Sequence, residues 1–163
     1  VMAVDMFMKI GDIKGESVDK KHAQEIDVLA WSWGASNSGT THMGGGGGSG
    51  KAHVADLSFT KYIDAASHAL LEACTSGKHY PKANLVVRKA GGKGAPVEYI
   101  KIEMEQVMVT SVGTGGAAGS DRLTENVTLN FAKVKFENTP QKADGSPEAT
   151  KTMTYDIAKN DHG

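Results

Sequence analysis

A single cysteine, Cys74, is all that this 163-residue chain contains, so no internal disulfide can staple it, and folding in a reducing cytoplasm is the economical expectation. Charge of one sign is missing too. The 18 basic and 19 acidic residues leave a formal net charge of -1, and they are interspersed, which excludes a field built for nucleic acid, an anionic membrane or an acidic substrate. No apolar run approaches the length of a membrane span. The opening residues VMAVDMFMKIG lack the basic segment and long apolar stretch of a signal peptide, so any export is expected to bypass that route. Val1 reads as an addition ahead of a natural start at Met2. No internal repeat is visible.

What is present is enough hydrophobic residue, 39%, for one continuous core, and the length predicts one domain over 2–163. The stretch LSFTKYIDAASHALLEACTSGKHYPKANLVVRK, from Leu57 to Lys89, holds the one convincing helix, predicted at about 65–76. Asp64 is placed to accept from the first free helical N–H groups, Leu70, Leu71 and Cys74 recur on one face, and Gly77 supplies a left-handed stop. Cys74 reads as packing on that face.

Strands surround the helix. Val4 to Ile10 alternates with Val4, Met6, Met8 and Ile10 on one face. Ile26 to Trp33 and Val54 to Tyr62 read as strands, and residues 82–90 and 97–111 read as a hairpin around GGKGAP. In the second arm of that hairpin Ile100, Ile102 and Met104 alternate with Lys101, Glu103 and Glu105. Leu123 to Phe136 is a long strand whose apolar parity changes, Val127, Leu129 and Phe131 giving way to Val134 and Phe136, which predicts a bulge near Ala132 or Lys133. Thr152 to Ala158 closes the series. About seven or more strands with one flanking helix predict a mainly β fold, a β-sandwich closed into a β-barrel.

Several motifs suggest chemistry. GGGGSGK at 45–51 has the glycine and lysine spacing of a phosphate-binding loop, but Ala52 stands where a magnesium-binding hydroxyl is needed and an alternating segment follows instead of a helix. A flexible loop over 39–51 without nucleotide is the expectation, and GGKG near residue 91 reads as a turn. The six histidines, His22, His42, His53, His68, His79 and His162, include no close ligand pair and no cysteine cluster, so no metal is expected. Cys74 and His79 could form a nucleophile and base, but no third orienting group or oxyanion loop accompanies them, and no catalysis is expected.

Two patterns concern surfaces. Trp31 and Trp33 flank Ser32 on a strand, so burying the indoles sends Ser32 outward with Ala30 and Val28, a mildly apolar face suited to a channel or partner. Thr124, Asn126, Thr128 and Asn130 form a neutral polar ladder, suited either to ordinary solvated sheet or to a smooth, weakly adhesive wall. The segment Gly11 to Gln24, GDIKGESVDKKHAQ, is charged and lacks apolar periodicity, which makes it a candidate contact arm.

The helix block, EIDVLAWSWG at 25–34 and DRLTENVTLNFAKVKFE at 121–137 together resemble the haemolysin-coregulated protein (Hcp) family, the tube-forming proteins of bacterial type VI secretion, from Ala3 to about Ile157. The resemblance implies a β-barrel with a side helix, with no cofactor, metal or enzymatic step. It implies a homohexamer whose rings stack into a tube, effector proteins held in the lumen, a spike protein at the tube tip and a contractile sheath around it, with neither nucleic acid nor membrane insertion. It implies residence in the bacterial cytoplasm and then secretion by a signal-peptide-independent route. Carried over residue by residue, Trp31, Ser32 and Trp33 form the inner-sheet motif, Ser32 and Ala30 face the lumen and its effectors, Asp121 to Asn126 lead into the long strand, and Asp12, Lys14, Glu16 and Lys20 belong to an inter-ring contact arm. A phage-like tail-tube protein, or an effector or enzyme built on the same domain, are the rival expectations.

Overall fold

A computed structural model describes residues 4–39, 52–89 and 96–161. The phosphate-loop-like GGGGSGK, the GGKG turn, His42 and His162 lie outside the described residues. The chain runs β1 (Val4–Ile10), β2 (Ile26–Asp27), β3 (Ala30–Ser32), β4 (Ala35–Asn37), β5 (Ala52–Val54), β6 (Leu57–Tyr62), α1 (Ser67–Ser76), β7 (His79–Lys89), β8 (Val97–Thr114), β9 (Thr124–Asn130), β10 (Lys133–Asn138) and β11 (Lys151–Asp156). All but β4 and β5 join one antiparallel sheet, whose main path is β2-β1-β7-β8-β9-β6-β3, with β10 paired to β8 and β11. The mainly β architecture with one helix is the expected one.

Chain continuity closes this sheet into a barrel. Val28 N–H donates to Met6 O at 3.0 Å, on β1, and the next residue, Leu29, donates to Thr60 O at 2.8 Å, on β6. Consecutive amides therefore bond to opposite ends of the sheet. The predicted strand from Ile26 to Trp33 is broken at this point into β2, which pairs β1, and β3, which pairs β6. The break resets parity, so Val28 is buried while Ala30 and Ser32 are exposed, which corrects the expectation that the three share a face.

β8 serves both halves of the barrel. Its first part pairs β7 and β10, and its last part pairs β9. At the join Gln106 adopts φ 56°, and burial passes from Ile102 and Met104 to Val107 and Val109, the parity change that a bulge produces. Opposite it the predicted long strand divides at Phe131–Ala132 into β9 and β10, close to where the sequence places a bulge. Likewise Val54 to Tyr62 divides into β5 and β6.

The helix differs from its prediction in two details. Leu71 is 46% exposed, and Leu70, Ala73 and Ala66 form the packed face instead, while Cys74 is half-buried against the same core. Asp64 Oδ1 accepts from Ala66 N–H at 2.8 Å, just ahead of the helix. The N-cap position, Ala66, carries no side-chain cap, whereas Gly77 takes the left-handed stop at φ 68°.

Candidate functional site

The outer face of β3, β6, β9 and the end of β8 forms one continuous surface, and strand register determines its composition. One row runs Ala30, Thr60, Asn126, Gly113 and the next runs Ser32, Ser58, Thr128, Ser111. No charged side chain occurs in either row. The rows are tied across the strands, Thr60 Oγ1 donating to Asn126 Oδ1 at 2.7 Å and the Ser58 and Thr128 hydroxyls lying 3.2 Å apart. Thr110 Oγ1 adds a bond to Thr128 O at 3.2 Å, and Asn130 Nδ2 donates to Asp56 Oδ1 at 2.8 Å at the end of the ladder. Such cross-strand pairs stiffen a sheet, and here they also satisfy hydroxyls that would otherwise bind strongly to whatever approaches. Ala30, Ser32, Ser58, Thr60 and Asn126 border a shallow recess of about 260 Å³. The polar ladder from Thr124 to Asn130 is thus one column of a wider neutral wall.

Behind the wall the alternation carries charge inward. Lys61 and Glu125 face each other in register and are fully or almost fully buried. Lys61 Nζ bonds Glu125 and lies 2.8 Å from Asp64 Oδ1, and the Ser67 hydroxyl donates to Glu125. The cluster ties β6 and β9 to the start of α1. The sequence holds a signal for it: Leu57, Phe59 and Lys61 share one parity, as do Glu125, Val127 and Leu129, so an inward face of apolar residues ends in a charge on both strands. Two opposite charges on facing inward positions mark a buried pair.

Trp31 and Trp33 are half-buried against the core, as their expected burial requires for Ser32 to face out. Trp33 Nε1 donates to Ala55 O at 2.9 Å, and its rings pack against Phe131 and Phe136 with centroids 6.4 and 6.2 Å away.

The second candidate, Gly11 to Gln24, does not project. It lies against the barrel in an alternation that the sequence reading missed: Ile13, Gly15 and Ser17 are buried, whereas Asp12, Lys14, Glu16 and Val18 are exposed. Small and polar residues occupy most inward positions, so hydropathy hides the period. Backbone bonds join Gly15 N–H to Gln24 O at 2.7 Å, Ser17 N–H to Glu25 O at 3.0 Å and Gln24 N–H to Ser17 O at 2.8 Å. Side chains then fasten it. Arg88 donates to both oxygens of Asp19, at 3.1 and 2.5 Å, and to Asp5 at 3.1 Å. These hydrogen bonds, assisted by backbone N–H groups and by the opposite charge against a smaller opposing effect of burial, hold the Asp19 carboxyl down to about 2. The Arg88 guanidinium is pushed upward, chiefly by its bonds to Asp19. His22 stacks on Phe7 with centroids 4.4 Å apart, its Nδ1 2.9 Å from Glu25 and its Nε2 3.2 Å from Glu98. This cover explains why Phe7 is buried although it lies on the face of β1 opposite Met8. Val4, expected inside, is exposed.

Among the described residues no group of three or more histidine, cysteine, aspartate or glutamate side chains could hold a metal, and no helix is long and apolar enough to cross a membrane. His79 is exposed at the start of β7, apart in character from the half-buried Cys74.

Comparison with known proteins agrees with these features. Residues 7–137 match the family described as type VI secretion system effector, Hcp. Over 147 residues the chain is 66% identical to protein hcp1 of Pseudomonas aeruginosa, covering 90% of each. Among solved structures, one described as a type six secretion system protein is 30% identical with a TM-score of 0.89, over 98% of this chain and 99% of the other. Hcp1 from Salmonella typhimurium is 38% identical with a TM-score of 0.77, over 99% of both chains.

Proposed function

Because this chain belongs to the Hcp family and is a tube protein of type VI secretion, we propose that six copies close into a ring with the neutral wall lining its lumen, and that the rings stack into the tube. The observation that carries this reading is the wall itself, bounded by two open strand edges. Among the described residues β3 pairs only with β6, and beyond Met108 no strand pairs β8 on its β7 side. Open edges are hazards unless covered, and a heterologous contact that closes by rotation covers both at once, β3 of one copy meeting the end of β8 in the next. The wall then continues from copy to copy.

Effector proteins travel in that lumen, facing Ser32 and Ala30. Hydroxyl and amide groups already bonded across the strands, with small methyl side chains beside them, hold cargo weakly enough to release it. The spike protein closes the tube tip and the contractile sheath surrounds the outside. The chain acts as a single domain without enzymatic chemistry, in the bacterial cytoplasm and then outside the cell, by a route that needs no signal peptide. Asp12, Lys14, Glu16 and Lys20 point away from the barrel on the arm and make the contact between rings.

Size-exclusion chromatography with light scattering, followed by negative-stain imaging, tests the ring directly: six-copy particles are expected, and a monodisperse monomer at micromolar concentration would refute the ring. Ser32→Gln tests the lumen. It adds bulk to an exposed wall position without entering the core, so ring mass and thermal midpoint should hold while co-purification of an effector drops. Full cargo retention in an intact ring would take Ser32 off the cargo surface.

Reversing the charges at Asp12, Lys14, Glu16 and Lys20 together tests the arm. Rings should persist and stacking should fail, since exposed charges contribute little singly but must match across an interface. If the rings fall apart, the arm lies in the lateral contact.

A further inference from the structure

The outward side of the arm reads Asp12, Lys14, Glu16 and then Val18, so a branched aliphatic residue stands where the alternation has placed only charge. Val18 is 97% exposed. Single exposed apolar residues are common on protein surfaces; what sets this one apart is that it sits directly beside the most heavily fastened point of the segment. Its neighbour Asp19 receives both nitrogens of Arg88 and in turn accepts from the backbone N–H groups of Lys21 and His22 at 3.0 and 3.2 Å. Arg88 is itself wedged, 5.1 Å from the centre of the Phe7 ring on which His22 also stacks.

We infer that Val18 is an apolar contact point through which one copy of this chain docks on a copy in the adjoining ring, and that Arg88 is the positioning residue that presents it. The inference rests on the reading of the arm as the inter-ring contact and adds the residue that anchors it. An aliphatic side chain held fully in water gains by burial in a partner, and a contact segment already ordered before docking gives up little conformational freedom. Glu16, Lys20 and Lys21, all exposed around the tip, supply both signs of charge. That mixed rim fits another copy of a chain whose own charges are interspersed, rather than a strongly charged partner.

The test uses the full chain with three variants. Val18→Asp should leave ring mass and thermal midpoint unchanged while the fraction sedimenting as tubes under crowding falls at least about tenfold, as expected for loss of an interface anchor. Arg88→Ala should raise amide hydrogen exchange across 14–21 and reduce tubes without changing the ring. Arg88→Lys keeps the charge but not the two-point contact, and should fall between wild type and Arg88→Ala in both readouts. Where Arg88→Ala does not fold, Asp19→Asn frees the arm while leaving Arg88 its bond to Asp5, and it should show the same exchange and the same loss of tubes. Wild-type tube formation by Val18→Asp would overturn the anchor, and a loosened arm that still forms tubes would overturn the positioning role. If the fourfold charge reversal also leaves tubes intact, the arm reading itself falls; if that reversal abolishes tubes while Val18→Asp does not, only this inference falls.

Discussion

Lys61→Ala is expected to cost about 3–5 kcal/mol of stability, because it removes one partner from a buried ion pair and leaves the others without compensation. Glu125 keeps only the Ser67 hydroxyl, and Asp64 keeps its local bond to Ala66 N–H. Neither satisfies a carboxylate that the barrel has removed from water. In a domain of this size the loss lowers the thermal midpoint by roughly 6–20 °C, which differential scanning calorimetry reads directly. Lys61→Met should do nearly as badly despite filling the space, since packing cannot neutralise Glu125. Lys61→Met combined with Glu125→Leu should recover much of the loss, as replacing both charges of a buried pair is often neutral or better. An unchanged midpoint for Lys61→Ala would show that Glu125 finds solvent. The effect reaches the ring as well, since the strands that bear Lys61 and Glu125 also carry the centre of the wall.

Gly15→Ala carries the second large effect. A methyl group at residue 15 would lie 2.5 Å from the carbonyl oxygen of Glu25 and 2.8 Å from the Cα of Ile26, backbone atoms at the start of β2 that cannot rotate aside. Overpacking of this kind costs about 1–3 kcal/mol, and relief comes by lifting the arm away from β2. That movement breaks the Gly15 to Gln24 bond and displaces Glu16 and Val18 from their places. The expected outcome is an intact ring with a modestly lower midpoint, increased hydrogen exchange over residues 12–25 and lost stacking. Stacking that survives together with wild-type exchange would mean that β2 yields instead of the arm.

Much of this architecture could be read from residues alone. The bounds of β1 match its alternation, the β7–β8 hairpin and the left-handed stop at Gly77 follow from local chemistry, and the neutral column on β9 comes from simple alternation. What escaped depends on contacts distant in sequence. The burial of Phe7 is invisible because its cover, His22 and Arg88, comes from two other segments. The inward face of Val28 is not legible locally, because the break between β2 and β3 follows from two distant partners, β1 and β6, and not from any breaker residue. The burial of Lys61 is hidden because a lysine in an alternating strand defaults to solvent, and only the matching parity of Glu125, 64 positions away, reverses that default. The ladder on β9 had two readings; rows continuing across β6, β3 and the end of β8 are what favour the wall.

The pairing of β6 with β9 also sets a clock on the birth of the molecule. Ser58 and Thr128, neighbours on the wall, are 70 residues apart in the chain, so at ribosomal speeds of about 5–20 residues per second β6 waits roughly 4–14 s for its strand partner to be synthesised. Until then the edge of β6 that β9 will cover has no strand partner, and an uncovered edge can pair with another chain. The neutral serines and threonines that make a smooth wall would then offer no like-charge repulsion between the two. Lys61, next to last in β6, has Asp64 three residues on to pair with from the start, and the buried charge cluster is completed when Glu125 arrives with β9.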